Sequence, residues 1–264
     1  MSEHAASHAP GMFCWIELMT SDQSAAKTFY TSLFGWTAED NPMGPGFFYT
    51  IFRMQGKQIG GGYALMPDQV AANVPPNWLV YVAVDSADAT VDKAKGLGAT
   101  IIAGPIDVME LGRMAILQDP TGAVFAIWQA KQQQGMEVVG AEGAFSWADL
   151  SSPDPAKAAQ FYASLFGWQM EKGENDPDGG YLHIKNGEHY IGGVQSLAHR
   201  QPGVPPHWLI YFHASDCDAA SNKAKSLGAN IYFGPVTMEN VGRFSIAADP
   251  QGAYFSLFQP MRKG

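Results

Sequence analysis

Two acids and one histidine carry most of the reactive chemistry in this sequence. Glu17 stands in FCWIELM and Asp149 in FSWADLS, short apolar runs that read as half-buried strands. A carboxylate taken out of water must be paired or protonated, so each is a candidate for proton transfer. Either could abstract a proton α to a carbonyl, although the resulting enolate would need a separate electrophile. His213 closes the run HWLIYFH and offers a general base or a ligand contact. The plainer alternative is a strand histidine satisfied by a neighbour. Arg113 and Arg243 each follow a glycine at the start of a strand. They would clamp a carboxylated or phosphorylated ligand, or simply pair with a nearby acid.

These residues belong to a chain written twice. FYTSLFGW at 29–36 returns as FYASLFGW at 161–168, an offset of 132, and the GG pair at 60–61 returns at 192–193. PPNWLVY at 75–81 returns as PPHWLIY at 205–211, now offset by 130. KAKGLGA, GR and DPTGAVF recur in the same order as KAKSLGA, GR and DPQGAYF. The copies span 11–130 and 143–260, joined by the polar stretch KQQQGMEVVGAEG. A period this long marks a duplicated domain, not a solenoid. Glu17 and Asp149 are therefore one position in two copies, whereas His213 stands where the first copy has Ala83.

The elements that position them can be read in outline. In each copy a short strand ends at a polar turn where Ser21 or Asp22 can cap a helix. Ala26, Phe29, Tyr30, Leu33 and Phe34 form the stripe of a helix packed on one face, repeated by Ala158, Phe161, Tyr162, Leu165 and Phe166. Gly35 and Gly167 then supply a left-handed helix end. Apolar runs follow, split by Gln55-Gly56 or by Asn186-Gly187, a strong hairpin signal. After the PP pair the order restarts with a strand, a helix and further strands up to DPxG. Each copy is thus two strand–helix–strands units, and the class is α+β on a mostly antiparallel sheet.

Composition bounds the partners. Apolar residues make up 46% and charged residues 16%, enough to bury real cores. A net charge of −9 argues against a nucleic-acid or anionic-membrane partner. No apolar run approaches a membrane span, and MSEHAASHAPGMF lacks the pattern of a signal peptide, so a cytoplasmic location is expected. Two cysteines are too few for a disulfide framework or a thiolate zinc cage. His4 and His8 stand at i, i+4 in a polar tail that reads as disordered; His183, His189, His199 and His207 have no ligand spacing.

FY…LFGW closing the first helix, GG, the PP-x-W strand, GR and DPxG together resemble the vicinal-oxygen-chelate superfamily of glyoxalase I, extradiol dioxygenases and bleomycin-resistance proteins. The resemblance covers both copies almost end to end. It implies two tandem glyoxalase-like domains, each a pair of βαβββ units whose curved sheet forms a cup. It also implies metal ligands on the first, fourth, fifth and eighth strands. Those positions fall at Trp15, near Gly61, at Leu79 and at Ala126, and in the second copy at Trp147, near Gly193, at Leu209 and at Ser256. None is a competent ligand: indole nitrogen has no free lone pair, Leu, Ala and Gly offer nothing, and one serine hydroxyl is a poor donor. No cofactor is expected. The open point is whether the units pair within a copy or crosswise.

Alternation then sets what lines the cups. Glu17 shares the face of Trp15, Asp149 that of Trp147, Tyr81 that of Leu79, and Tyr211 and His213 that of Leu209. Trp128 and Phe258 stand two residues beyond Ala126 and Ser256. Trp15 and Trp147 would stack on a planar ligand or fill the space a metal leaves. Such aromatic interiors suit a mid-sized organic ligand oriented by a few polar groups. Three functions follow: a protein that binds a small carbonyl or aromatic molecule without metal; a metal-free lyase or isomerase using Glu17, Asp149 or His213; and a metal-dependent lyase or dioxygenase. The partner is a small molecule, and the chain a monomer or homodimer.

Overall fold

The first helix shows how local sequence sets the architecture. The Asp22 side chain accepts the backbone N–H of Ala25, and Gly35 closes the helix in the left-handed region at φ 72°. Between them α1 (Gln23–Phe34) buries Ala26, Phe29, Tyr30 and Leu33. In the second copy Asp154 and Gly167 bound α4 (Pro155–Phe166) in the same way. We describe residues 8–173, 180–199 and 203–261 of a computed structural model.

The first copy runs β1 (Phe13–Thr20), α1, β2 (Thr37–Gly44), β3 (Phe47–Met54), β4 (Lys57–Ala64), the short α2 (Pro67–Ala71), β5 (Asn77–Ala83), α3 (Ala87–Gly96), β6 (Thr100–Val108), β7 (Gly112–Gln118) and β8 (Val124–Ala130). The second runs β9 (Phe145–Ser152), α4, β10 (Gln169–Lys172), β11 (Tyr181–Asn186), β12 (His189–Ser196), β13 (His207–His213), α5 (Cys217–Ser226), β14 (Asn230–Met238), β15 (Gly242–Ala248) and β16 (Tyr254–Pro260). Strands β2 and β10 are additions to the sequence reading; β2 (TAEDNPMG) is polar and mostly exposed, so it carries no alternation to detect.

Each copy folds into its own eight-stranded sheet, β2-β3-β4-β1-β5-β8-β7-β6 and β10-β11-β12-β9-β13-β16-β15-β14. The units therefore pair within a copy. The two sheets are curled and mixed, antiparallel except where β1 meets β4, β5 meets β8, and their counterparts meet in the second sheet. The hairpin signals differ in detail. Gln55 and Gly56 both have positive φ, whereas the second hairpin turns through Gly187 and Glu188, with Asn186 still paired to His189.

One face of each sheet is buried against the helices and the other copy. Cys14, Ile16, Leu18, Val80, Phe125 and Ile127 are at most 1% exposed there. Aromatic rings cross between copies: Phe13 meets Phe145 and Trp208, and Phe212 meets Phe34, Trp36 and Trp78. The DPxG acids do more than close turns. Tyr30 Oη donates to Asp249 Oδ2 at 3.0 Å, and Tyr162 Oη donates to Asp119 Oδ2 at 3.0 Å, so each copy's helix is bonded to the other copy's turn. Trp78 and Trp208 donate in turn to those two phenol oxygens.

His8 departs from expectation. It is half-buried, with Nε2 2.7 Å from the Met136 carbonyl, and burial pulls its pKa down. His4 lies outside the described residues. Cys14 and Cys217 are buried and free. No helix among the described residues is long and apolar enough to cross a membrane.

Candidate functional site

Strand register builds the floor of the first concave face. Glu17 pairs with Gly61 on β4 and Leu79 on β5, while Trp15 pairs with Tyr81, which pairs with Ala126 on β8. Residues directly opposite one another share a face, so the predicted set converges there. The Glu17 carboxylate is 7% exposed, and two phenols hold it: Tyr81 Oη donates to Oε1 at 2.8 Å and Tyr49 Oη to Oε2 at 2.7 Å. Trp15 Nε1 donates to the Tyr49 oxygen at 2.9 Å. Burial pushes the Glu17 carboxyl upward, against the pull of its two phenol bonds. Burial and the nearby carboxylate hold Tyr49 and Tyr81 well above the ordinary phenol range, and Tyr63 is pushed up to about 12. At neutral pH these phenols are therefore protonated donors.

The second copy repeats the arrangement. Tyr211 Oη donates to Asp149 Oδ2 at 2.7 Å, Tyr181 Oη to Oδ1 at 2.7 Å, and Trp147 Nε1 reaches both Asp149 Oδ1 and Tyr181 Oη. Burial, then the carboxylate charge, raises Tyr181 well above the usual phenol range. The acid is one methylene shorter, and here the indole contacts the carboxylate itself. A glycine makes each floor possible. A Cβ on Gly61 would lie 2.4 Å from Tyr49 Oη, and one on Gly193 would lie 2.0 Å from Tyr181 Oη. The third-strand tyrosine crosses its neighbour strand only because that strand has no side chain there.

Around the floors, Trp128 donates through Nε1 to the Gln133 carbonyl, and Phe258 lies edge-to-face with Tyr211 at 6.3 Å. Ser256 Oγ donates to the Ser245 carbonyl, a bond within its own sheet. The arginines and His213 are not brought to the floors. Arg113 has the parity of buried Ala115 and Leu117, which puts it on the helix side, where it forks onto Asp88 and approaches Asp107. Arg243 forks onto Asp218 in the same way. Both arginines are thus committed to internal ion pairs and not arranged as an anion clamp. His213 Nδ1 lies 2.9 Å from the Gly140 carbonyl, beside a surface cavity of about 290 Å³ that Leu33, Phe34, Glu142 and Lys223 also line. It stands four residues past Leu209, the partner of Asp149, roughly 13 Å along β13. Neither acid orients it.

The sequence profile of the Glyoxalase/Bleomycin resistance protein/Dioxygenase superfamily matches residues 13–127 and again 144–257. The chain belongs to this superfamily. It is 38% identical to "Putative glyoxylase CFP32" of Mycobacterium bovis, over 93% of this chain and 94% of that protein. It is 36% identical to "Anthracycline biosynthesis protein DnrV" of Streptomyces peucetius, over 97% and 95%. Among solved structures it resembles the Mn(II)-bound glyoxalase from Novosphingobium aromaticivorans, with a TM-score of 0.66 and 15% identity over 96% of this chain and 83% of that one. It is similar as well to the 2,3-dioxygenase LapB from Pseudomonas sp. KL28, with a TM-score of 0.66 and 12% identity over 96% and 93%. Both likenesses are of fold.

A divalent metal of the kind bound in some glyoxalase-superfamily members does not fit the donors at the corresponding positions here. The register puts Trp15, Gly61, Leu79 and Ala126 on one face as counted, and none brings a lone pair. In the second copy the single donor is the Ser256 hydroxyl, a poor neutral ligand with no second donor beside it at these positions. Among the described residues no three His, Cys, Asp or Glu side chains cluster to hold a metal ion. The space over Gly61 and Gly193 holds a tyrosine ring instead.

Sequence reasoning missed three of the residues that shape these faces. Tyr49 and Tyr181 recur at the same 132-residue offset as Glu17 and Asp149, a signal available in the repeat. His183 carries no such signal, because the first copy has Ile51 in its place. Its ring lies 5.0 Å from Tyr181 and 6.3 Å from Trp147, centroid to centroid.

Proposed function

We propose that this chain binds a small oxygenated organic molecule, a carbonyl or aromatic compound, in its concave faces, and does so without the superfamily's metal. The carrying observation is the repeated floor, in which an acid, two tyrosines and a tryptophan gather around the positions that the superfamily resemblance implies for metal ligands. Each acid acts as a positioning residue. It fixes two phenol hydroxyls, so that apolar walls carry oxygen lone pairs at defined places, the mixture a mid-sized ligand needs. A ligand hydroxyl finds acceptors there, and a ligand ring finds aromatic walls.

Proton transfer by the acids is the weaker reading. Both oxygens of Glu17 and of Asp149 already accept phenol hydrogens, and His213 is bonded elsewhere. The names of the relatives, a putative glyoxylase and an anthracycline biosynthesis protein, point toward carbonyl and polycyclic aromatic compounds as the first ligands to try. The test is titration with catechol and with methylglyoxal–thiol adducts before and after chelator treatment, alongside metal analysis. Saturable binding with an unchanged Kd is expected. Stoichiometric Fe, Mn, Ni or Zn, with binding abolished by the chelator, would overturn the proposal, and turnover lost in Glu17→Gln or Asp149→Asn would establish the catalytic reading.

A further inference from the structure

The floors match, but the rims do not. Where the first concave face has Ile51, Gln58, Met114 and Trp128, the second has His183, Tyr190, Phe244 and Phe258. Among the described residues the second rim is more aromatic and its rings are more exposed. Trp15 and Trp128 are 7% and 8% exposed, whereas Trp147 and Phe258 are only half-buried. The first face is tied down at both ends. The linker residue Gln133 takes the Trp128 indole proton on its carbonyl and bonds the Gln58 side chain through its amide. At the far end Gln69 of α2 reaches Tyr63 Oη and the Met19 sulfur.

His183 gives the second face a direction. Three aromatic rings surround it nearly at right angles, Tyr181 at 5.0 Å, Tyr190 at 5.7 Å and Trp147 at 6.3 Å. Its backbone pairs with Gly193, which places the imidazole on the same face as the Asp149 floor. Both ring nitrogens lack a hydrogen-bond partner among the described residues. A half-buried imidazole so held, with hydrogen-bonding capacity unused, is suited to read a polar edge group on a ligand. Phe244 and Phe258, on neighbouring strands of the same sheet, supply ring surface for stacking.

We infer that the second concave face is the ligand site, that it takes a planar aromatic molecule bearing phenol or quinone oxygens, and that His183 determines its specificity. This rests on the binding role proposed above. The probe is 1,4-dihydroxyanthraquinone, titrated into the full chain and followed by its visible absorbance. One site per chain is expected. His183→Ile, which installs the first copy's residue, weakens binding by about tenfold or more, the worth of one ligand hydrogen bond. Phe244→Ala weakens it by roughly threefold or more through lost stacking, while Met114→Ala and Ile51→His on the first face leave Kd within about twofold. His183→Gln serves where His183→Ile melts early, and it retains part of the affinity. Two equivalent sites, or a loss confined to the first-face variants, would overturn the assignment. Binding of a methylglyoxal–thiol adduct but not of the quinone would overturn it and leave the binding role standing; binding of neither removes both.

Discussion

The seam between the copies and the concave faces were duplicated together, yet they have diverged to different degrees. At the seam the buried side-chain hydrogen bonds come as exchanged pairs, Tyr30 with Asp249 and Tyr162 with Asp119, the Trp36 indole on the Gly143 carbonyl and the Trp168 indole on Gly11, although Phe212 packs there where the first copy has Val82. On the concave faces only the floor is paired, and the rims differ, the second being richer in aromatic rings. A seam residue answers to both copies, because its partner lies in the other one. A rim residue answers only to what enters its own cup. The duplication therefore acts as an internal control, separating what the fold requires from what a ligand can select.

The sharpest way to break this comparison is to crowd a floor. Gly61→Ala or Gly193→Ala drives a methyl into the crossing tyrosine ring, and the ring can yield only by leaving the acid. Overpacking plus a buried carboxylate short of a donor should cost about 2–5 kcal/mol in either copy, read from urea midpoints. A cost below about 1 kcal/mol at either glycine would show that the tyrosine is not held as described.

Next in size is the seam. Tyr30→Phe and Tyr162→Phe each remove one hydroxyl from a buried aspartate that keeps its turn amides on the other oxygen. We expect about 1–3 kcal/mol from each, similar in the two copies. His183→Ile, a rim exchange, should stay within about 0.5 kcal/mol. If the rim exchange proved as damaging as the seam variants, the division into constrained and free regions would fail.

Much of this was legible in the sequence, for identifiable reasons. The α1 stripe and its caps were readable because helical periodicity and Asp22 and Gly35 are local signals. Trp15, Glu17, Leu79 and Tyr81 were placed on one face correctly because strand alternation needs no tertiary knowledge. The crossing tyrosines were not seen, since reaching over Gly61 is a matter of three strands and not of one. The arginines were left between two readings because the acids they bind, Asp88 and Asp218, sit on helices whose docking decides the outcome. His213 was put on the cup face by simple parity, and its backbone does pair with Phe258, but it ends β13, where its imidazole lies against the Gly140 carbonyl and its backbone bonds Gly143 and Ala144, away from the floor acids.

A smaller effect is the pH dependence of the first floor. Burial raises the Glu17 pKa above its ordinary 4.5, so the folded chain holds that proton more tightly than the unfolded chain does. The corresponding stability is full below about 4.5 and is lost as pH rises through the folded value, with a slope of at most about 1.4 kcal/mol per pH unit. The gap in stability between the wild type and Glu17→Gln should therefore shift against the wild type as pH is raised from 4 to 8, in denaturant melts at matched ionic strength. A gap independent of pH would mean that Glu17 titrates alike in both states.

The smallest expected effect tests the two sides of a single sheet. Arg113 and Arg243 lie at the strand ends far from the DPxG turns, and their parity turns them to the helices, where Asp88 and Asp218 hold them. Partly exposed pairs of this kind are screened by water and salt, so Arg113→Gln and Arg243→Gln should lower the melting midpoint by only about 2 °C or less, and less still at high salt. Their effect on ligand affinity should be nil, for anionic and neutral probes alike, since no part of either guanidinium shares a face with the floors. An anion clamp predicts the opposite pattern: unchanged melting and a loss of affinity confined to carboxylated or phosphorylated probes. Measuring Kd for a benzoate and a catechol on the same two variants distinguishes these outcomes. It does so on residues that recur in both copies, where recurrence by itself had left packing and binding both open.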